Sequence, residues 1–156
     1  MYKRILVAID GSNPAKAALS QAIALASVHD AKLVIIHVID FAGISGGFKH
    51  LRNDSLNDMV CNQAEKVLAQ AKQQAQKKKI NAQTILIELN DYQEQIAEKI
   101  LAQAITSRAQ LLVMGTQGLR GLVRIVLGSV TDYVIRHSSI PVLIVPDKKK
   151  AKRART

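Results

Sequence analysis

The residues best suited to hold a ligand lie in the run GTQGLRGLVRIVLGSV, from Gly115 to Val130. Glycines at 115 and 118 allow positive φ and a close approach of backbone to a guest, and Gly128 stands at the mouth of a helix-like pattern that starts at Ser129. The first turn of a helix carries unsatisfied N–H groups and a partial positive charge, so the guest this arrangement suits is an anion, phosphate above all. GxxxxGK[ST] occurs nowhere in the chain and GxGxxG does not follow the first apolar run, so neither the Walker loop nor the dinucleotide fingerprint is present. What is present is Gly-x2-Gly-x9-Gly-Ser at Gly115, Gly118, Gly128 and Ser129. A tight loop with no ligand is the competing reading of such spacing.

Other reactive types are sparse. Asp10 ends the first apolar run and either faces a ligand or opens a turn. Ser129 and Asp132 read as an S-x-x-D capping box, a role that competes with phosphate contact. His37, inside an apolar run, reads as a satisfied core histidine, and no His/Cys spacing resembles a zinc site. No Ser, His and Asp set matches a hydrolase motif. Turnover of a phosphoanhydride would need transition-state charge, which Arg120 and Arg124 could offer, and a hydroxyl from Ser129 or Thr131. No general base stands out, so binding is favoured over catalysis.

The elements that must position these residues alternate in kind. Short β-branched runs at 3–9, 33–39, 82–89, 110–114 and 141–145 are separated by helical patterns. Asn13 reads as the cap of a helix with Pro14 at its first position. Residues 41–50, with three glycines, form a loop long enough to cover a pocket. Leu56, Met59, Val60, Ala64, Val67, Leu68, Ala71 and Ala75 mark a long amphipathic helix ending in Lys77-Lys78-Lys79, read as a solvated terminus. The third strand is the least apolar and reads as an edge. A helix starting at Asn90 or Asp91 buries Ile96, Ile100 and Ala104, and residues 119–127 form a short helical bracket before the last helix, 129–137. The order βαβαβαβαβ predicts an open parallel sheet with helices on both faces. Ligands in such sheets sit at the carboxyl ends of strands where the order reverses, which puts Asp10 opposite Gly115 if strands one and four are neighbours. The periodicity permits that order without fixing it.

A chain of 156 residues suits one domain. Apolar residues make up 48% and aromatics 3%, predicting a core of Ala, Ile, Leu and Val. One cysteine, Cys61, excludes an internal disulfide and reads as a small filler. No apolar run reaches the length of a signal or membrane span, so the expectation is a soluble, cytoplasmic protein. Of the net charge of +10, six units come from residues 148–156, KKKAKRART, which hold no acid. The predicted division is a domain over 1–146 and a basic, disordered tail over 147–156.

Three stretches, KRILVAIDGS, KLVIIHVID and MGTQGLRGLVRIVLGSVTDYVIRHSSIPVLIVP, together resemble the universal stress protein family across nearly all of residues 1–146. The glycine spacing is similar to that of the ATP-binding members. The resemblance implies a Rossmann-like five-stranded parallel sheet of order 3-2-1-4-5 and bound ATP, with ADP or AMP as alternatives. It implies that Ala8, Ile9 and Asp10 lie at the end of the first strand, Asp10 near ribose, phosphates or Mg²⁺. Val38 would lie against the adenine, Met114 and Gly115 would form the other wall, and Gly118, Gly128, Ser129 and Val130 would surround the phosphates. Ala8 stands where some members have proline, and Gln117 where histidine or arginine is common. A symmetric homodimer through the strand at 141–145 is implied too, and the exposed apolar edge PVLIV favours it independently. The tail at 148–155 suits a polyanion or acidic protein through its charge alone, against the alternative of a solvated terminus.

Overall fold

The computed structural model of the protein describes residues 1–41, 54–91, 95–116 and 127–146. Nine elements follow one another: β1 (Arg4–Ala8), α1 (Asn13–His29), β2 (Lys32–Asp40), α2 (Asp54–Lys77), β3 (Ala82–Leu89), α3 (Ile96–Thr106), β4 (Leu111–Gly115), α4 (Ser129–His137) and β5 (Val142–Val145). The strands form one parallel sheet of order β3-β2-β1-β4-β5, as expected. The least apolar strand, β3, is an edge and β5 is the other. The predicted cover loop, the helical bracket and the basic tail lie outside the described residues.

Side chains alternate across the sheet, and each face has its own core. Ile5, Val7, Leu33 and Ile35 pack with Ala18, Leu19, Ala22 and Ala26 of α1 and with Leu68, Ala71 and Ala75 of α2. Leu6, Val34, Ile36 and Leu112 pack on the opposite face with Ala97, Ile100 and Ala104 of α3 and Val134 of α4. Ile5, Leu6, Ile35, Ile36 and Leu112 are fully buried, each contributing about 1.5–3 kcal/mol of transfer free energy. Alanine on the inward helix faces brings the helix axes close to the sheet, which is how a chain so poor in aromatics closes its core.

Local readings at helix starts needed correction. Ser12 caps α1, not Asn13: its Oγ accepts from the Ala15 amide at 3.3 Å, and Pro14 still occupies the first turn. α3 begins at Ile96 with Gln95 at the N-cap, five residues or more beyond the predicted start, so Ala97 joins Ile100 and Ala104 in the core while Ile96 is half-buried. In α2 the apolar stripe fails at its beginning, for Leu56 and Met59 are exposed. That first stretch of α2 borders the open cleft, which Ser55, Asp58 and Met59 line.

α1, α2 and α3 end alike. The Ala31 amide donates to the Ala26 carbonyl, Ile80 to Ala75 and Ala109 to Ala104, the six-to-one bond of the Schellman motif. The residue before each donor is left-handed: Asp30 at φ 50°, Lys79 at φ 57° and Arg108 at φ 51°. Glycine is the usual occupant, and an L side chain there costs roughly 1–2 kcal/mol. Each turn then feeds a strand, so all three lie at the amino end of the sheet.

At the opposite end Gly115 closes β4. A Cβ there would stand 2.7 Å from the carbonyl carbon and the Cβ of Pro14, so hydrogen is the only side chain that lets the start of α1 cross the end of β4. The φ of Gly115 is not in the left-handed region; among described glycines only Gly11, at φ 81°, is. The expectation that Gly115 serves a turn of positive φ is therefore corrected: it answers to Pro14. Gly115→Ala should lower stability by about 1–3 kcal/mol, read as a shift of the urea midpoint at unchanged slope.

Candidate functional site

β1 and β4 are central neighbours, with Ile5, Leu6 and Val7 paired to Leu111, Leu112 and Val113. β1 leads to α1 on one face, and β4 leads towards β5 and α4 on the other, so their carboxyl ends flank the point where strand order reverses. Asp10 lies on the β1 side. Its Oδ1 accepts the Ser12 amide at 2.9 Å, which folds the turn so that Ser12 can cap α1. One carboxylate oxygen is thereby given to the turn, while Asp10 also lines the crevice. The two readings of Asp10, turn former and ligand-facing acid, are compatible in this geometry.

The β4 side is tied down by three bonds. The Thr116 amide donates to the Val145 carbonyl at 3.1 Å and the Gly128 amide to the Thr116 carbonyl at 3.1 Å. The buried Thr131 hydroxyl donates to the Gly115 carbonyl at 3.2 Å, locking the first turn of α4 to the end of β4. α4 starts with Gly128 as its N-cap, and its first intrahelical bond runs from the Asp132 amide to the Gly128 carbonyl at 2.9 Å. The amides of Ser129, Val130 and Thr131 precede that bond and have no partner within the helix.

The expected Ser129/Asp132 capping box is not formed. Ser129 is already inside the helix, one position too late to cap it, and no side chain caps Gly128. Asp132 instead accepts from Arg136 Nε at 2.9 Å on the exposed side of α4, and that hydrogen bond holds its carboxyl below the usual range. Gly128 also differs from expectation in that its amide is already bonded to Thr116. The donors left for an anion belong to the residues after it.

These two sides border one open cleft of about 1550 Å³. Ala8, Ile9 and Asp10 line it from β1, Val38 from β2, and Met114 with Gly115 from β4. Gly128, Ser129 and Val130 line it from the start of α4. Nine of the residues singled out from sequence thus share one cavity, built from segments far apart in the chain. Gly118, Gln117, Arg120 and Arg124 lie outside the described residues. Such a crevice, apolar on its strand walls and carrying helix-start amides at one side, can take a flat apolar group between Val38 and Met114 and an anionic group at α4.

Sequence reading gave two contributors other roles. Thr131, offered there as a hydroxyl for phosphate, is 3% exposed and donates that hydroxyl to the Gly115 carbonyl, so it holds α4 in place. His37 lines the same cleft from β2, and its buried Nδ1 has no hydrogen-bond partner among the described residues, which departs from the satisfied core histidine expected. Burial lowers its pKa, with the nearby Asp10 charge opposing. A polar residue on the β2 face that otherwise carries Ile35 and Ile39 was the available signal. Among the described residues no group of three or more His, Cys, Asp or Glu could hold a metal. None of the described helices is long and apolar enough to cross a membrane. Cys61 is a free thiol beside Ile39, Phe41 and Ala64, with Sγ 3.7 Å from Glu88 Oε1; burial first, then Glu88, raises its pKa.

The model of the universal stress protein family matches residues 1–146. A universal stress protein of Bacillus subtilis is 35% identical over 93% of this chain and 99% of its own. Among solved structures, a universal stress protein family member from Burkholderia pseudomallei superposes with a TM-score of 0.74 at 30% identity, covering 93% of this chain and 96% of that one. A universal stress protein solved in complex with cAMP has a TM-score of 0.68 at 25% identity, over 94% of this chain and 98% of that one.

The lowered pKa of His37 makes stability depend on pH. The folded state prefers the neutral ring, so its contribution is complete above the ordinary value of 6.5 and is lost as pH falls below 6.5 towards the folded pKa. Urea unfolding at pH values from about 7 to 5 should show a declining midpoint, and the part due to His37 should vanish in His37→Leu.

Proposed function

The chain belongs to the universal stress protein family, and on that premise we propose that it is an adenine-nucleotide-binding, homodimeric module of the cytoplasmic stress response, with ATP as the leading ligand and ADP or AMP as alternatives. The observation that carries this reading is the shared cleft at the β1/β4 crevice, with the first-turn amides of α4, which have no partner within the helix, on one side and Val38 and Met114 on the strand walls. The similarity to a member that binds cAMP supports the ligand class. The assignment keeps Ala8, Ile9, Asp10, Val38, Met114, Gly115, Gly118, Gly128, Ser129 and Val130 as contacts. Gly128 contributes through its small size, its amide being bonded to Thr116.

Mg²⁺ would arrive with the phosphates. Asp10 is one carboxylate with one oxygen already committed to Ser12, which suits a hydrated ion held mainly by phosphate oxygens and not by a protein cage. When bound, the ion would neutralise phosphate charge. The chain's own residues orient the nucleotide: helix-start amides at the phosphates, Asp10 at the ribose side, apolar strand ends at the base. The module works by changing shape or partner with occupancy, with turnover of the nucleotide secondary to binding.

Strand β5 supports the dimer. Its Pro141 and Val145 carbonyls accept from β4, so by alternation the backbone groups of Val142 and Ile144 face away from the sheet. Such an outward row pairs readily with a second copy.

Two measurements test this. Mass spectrometry of small molecules released on denaturing fresh protein should find an adenine nucleotide near one per chain, and none in Gly118→Val/Ser129→Ala; wild type that is empty and fails to bind added Mg·ATP would overturn the reading. In sedimentation velocity, Ile144→Pro, which removes an outward donor and spares the bonds to β4, should convert a dimer to a monomer.

A further inference from the structure

The end of the sheet away from the cleft carries a row of cations that neither the nucleotide reading nor the tail uses. Lys79 stands before β3, Lys32 begins β2, Lys3 precedes β1 and Arg108 lies before β4, which is the order of the strands across the sheet. Strand spacing makes this row about 15 Å long. Lys77 and Lys78 extend it at the β3 end, and all six cations are exposed. Asp30 is the acid in these turns. Arg4 is set apart, since its Nη1 donates to the Ser107 carbonyl at 3.1 Å and so belongs to the fold.

Two features go beyond a solvated surface. Cations near helix C-termini complement the helix dipole, which accounts for Lys77 and its neighbours, yet Lys3 and Lys32 are not on helices. Lys79 and Arg108 also occupy the left-handed position of their Schellman turns, where glycine would relieve strain. The fold thus keeps two positive side chains at positions where backbone energetics favour having none.

We propose that this row is a second binding surface, which holds a nucleic acid by its phosphates without reading bases. A line of exposed like charges over about 15 Å matches a row of phosphates, and releasing condensed counterions supplies the driving force. The helices that end at this pole turn their apolar faces into the two cores, and Met1, Val28 and Ile105 are exposed large apolar residues among those described there. The surface is independent of the nucleotide cleft, which lies at the carboxyl ends of the strands. None of its six cations belongs to residues 148–156.

The test uses the full chain and a labelled DNA duplex of about 20 base pairs over a salt series from about 50 to 200 mM. Variant one is Lys3→Gln/Lys32→Gln/Lys78→Gln; variant two is Lys79→Gly/Arg108→Gly; a third chain stops after Asp147. Both pole variants should bind at least about tenfold more weakly at low salt, with a shallower dependence of log affinity on log salt. Variant two should do so while its Tm is equal to or above that of wild type, an outcome that a purely structural role for Lys79 and Arg108 does not produce. Wild-type affinity and salt slope in both variants overturns the proposal. So does loss of binding confined to the chain lacking the tail, or a wild type that ignores the duplex and sediments with vesicles of anionic lipid.

Discussion

The start of α1 crosses the end of β4 at a distance that tolerates no side chain, with a Cβ on Gly115 falling 2.7 Å from Pro14. Much of the site depends on that crossing. It sets Pro14 against the end of β4, and with it Ser12 at the head of α1 and Asp10 held by the Ser12 amide. It leaves the Gly115 carbonyl to accept Thr131, which fixes the first turn of α4. Asp10 and the first-turn amides of α4 border one cleft because two helices are pinned to one strand end. A glycine that resembles a ligand contact from sequence is thus first a packing necessity, and the crevice is a by-product of meeting it.

Much of this was legible in the chain. Buried parallel strands read as continuous β-branched runs, and alanine at helical spacing gave α1 and α3 their inward faces. The strand order and the grouping of Ala8, Asp10, Val38, Met114 and Ser129 needed the family resemblance, since no periodicity encodes which strands are neighbours. What stayed hidden was set by contacts across the chain or by single-residue shifts. Ser12 displaces Asn13 as cap because Asp10 bends the turn one residue earlier. Ser129 enters its helix too soon to cap it. The exposed start of α2 lies along the open cleft, which an apolar stripe cannot report. His37 looked like core because its neighbours are core, and only three dimensions put it beside Asp10.

A parallel sheet makes its two ends chemically unlike. Every carboxyl end gathers on one side, where β1 and β4 part and the helices that follow present their amino termini. Every helix that feeds a strand finishes on the other side, where carbonyl groups accumulate and cations are favoured. In this chain the polarity is sharpened by three Schellman turns in series. One sheet direction places the cleft and the basic row at opposite ends.

The bond from the Gly128 amide to the Thr116 carbonyl has a bearing on the segment between them. It clasps the two ends of the intervening segment, while Thr116 is itself held by Val145 and α4 by Thr131. With both ends fixed by the scaffold, the closure entropy of whatever lies between grows only logarithmically, about 0.6 kcal/mol for each doubling of length. The clasp thus fixes the two ends between which Gly118 must reach the ligand, so the scaffold and not the segment sets where that reach begins and ends.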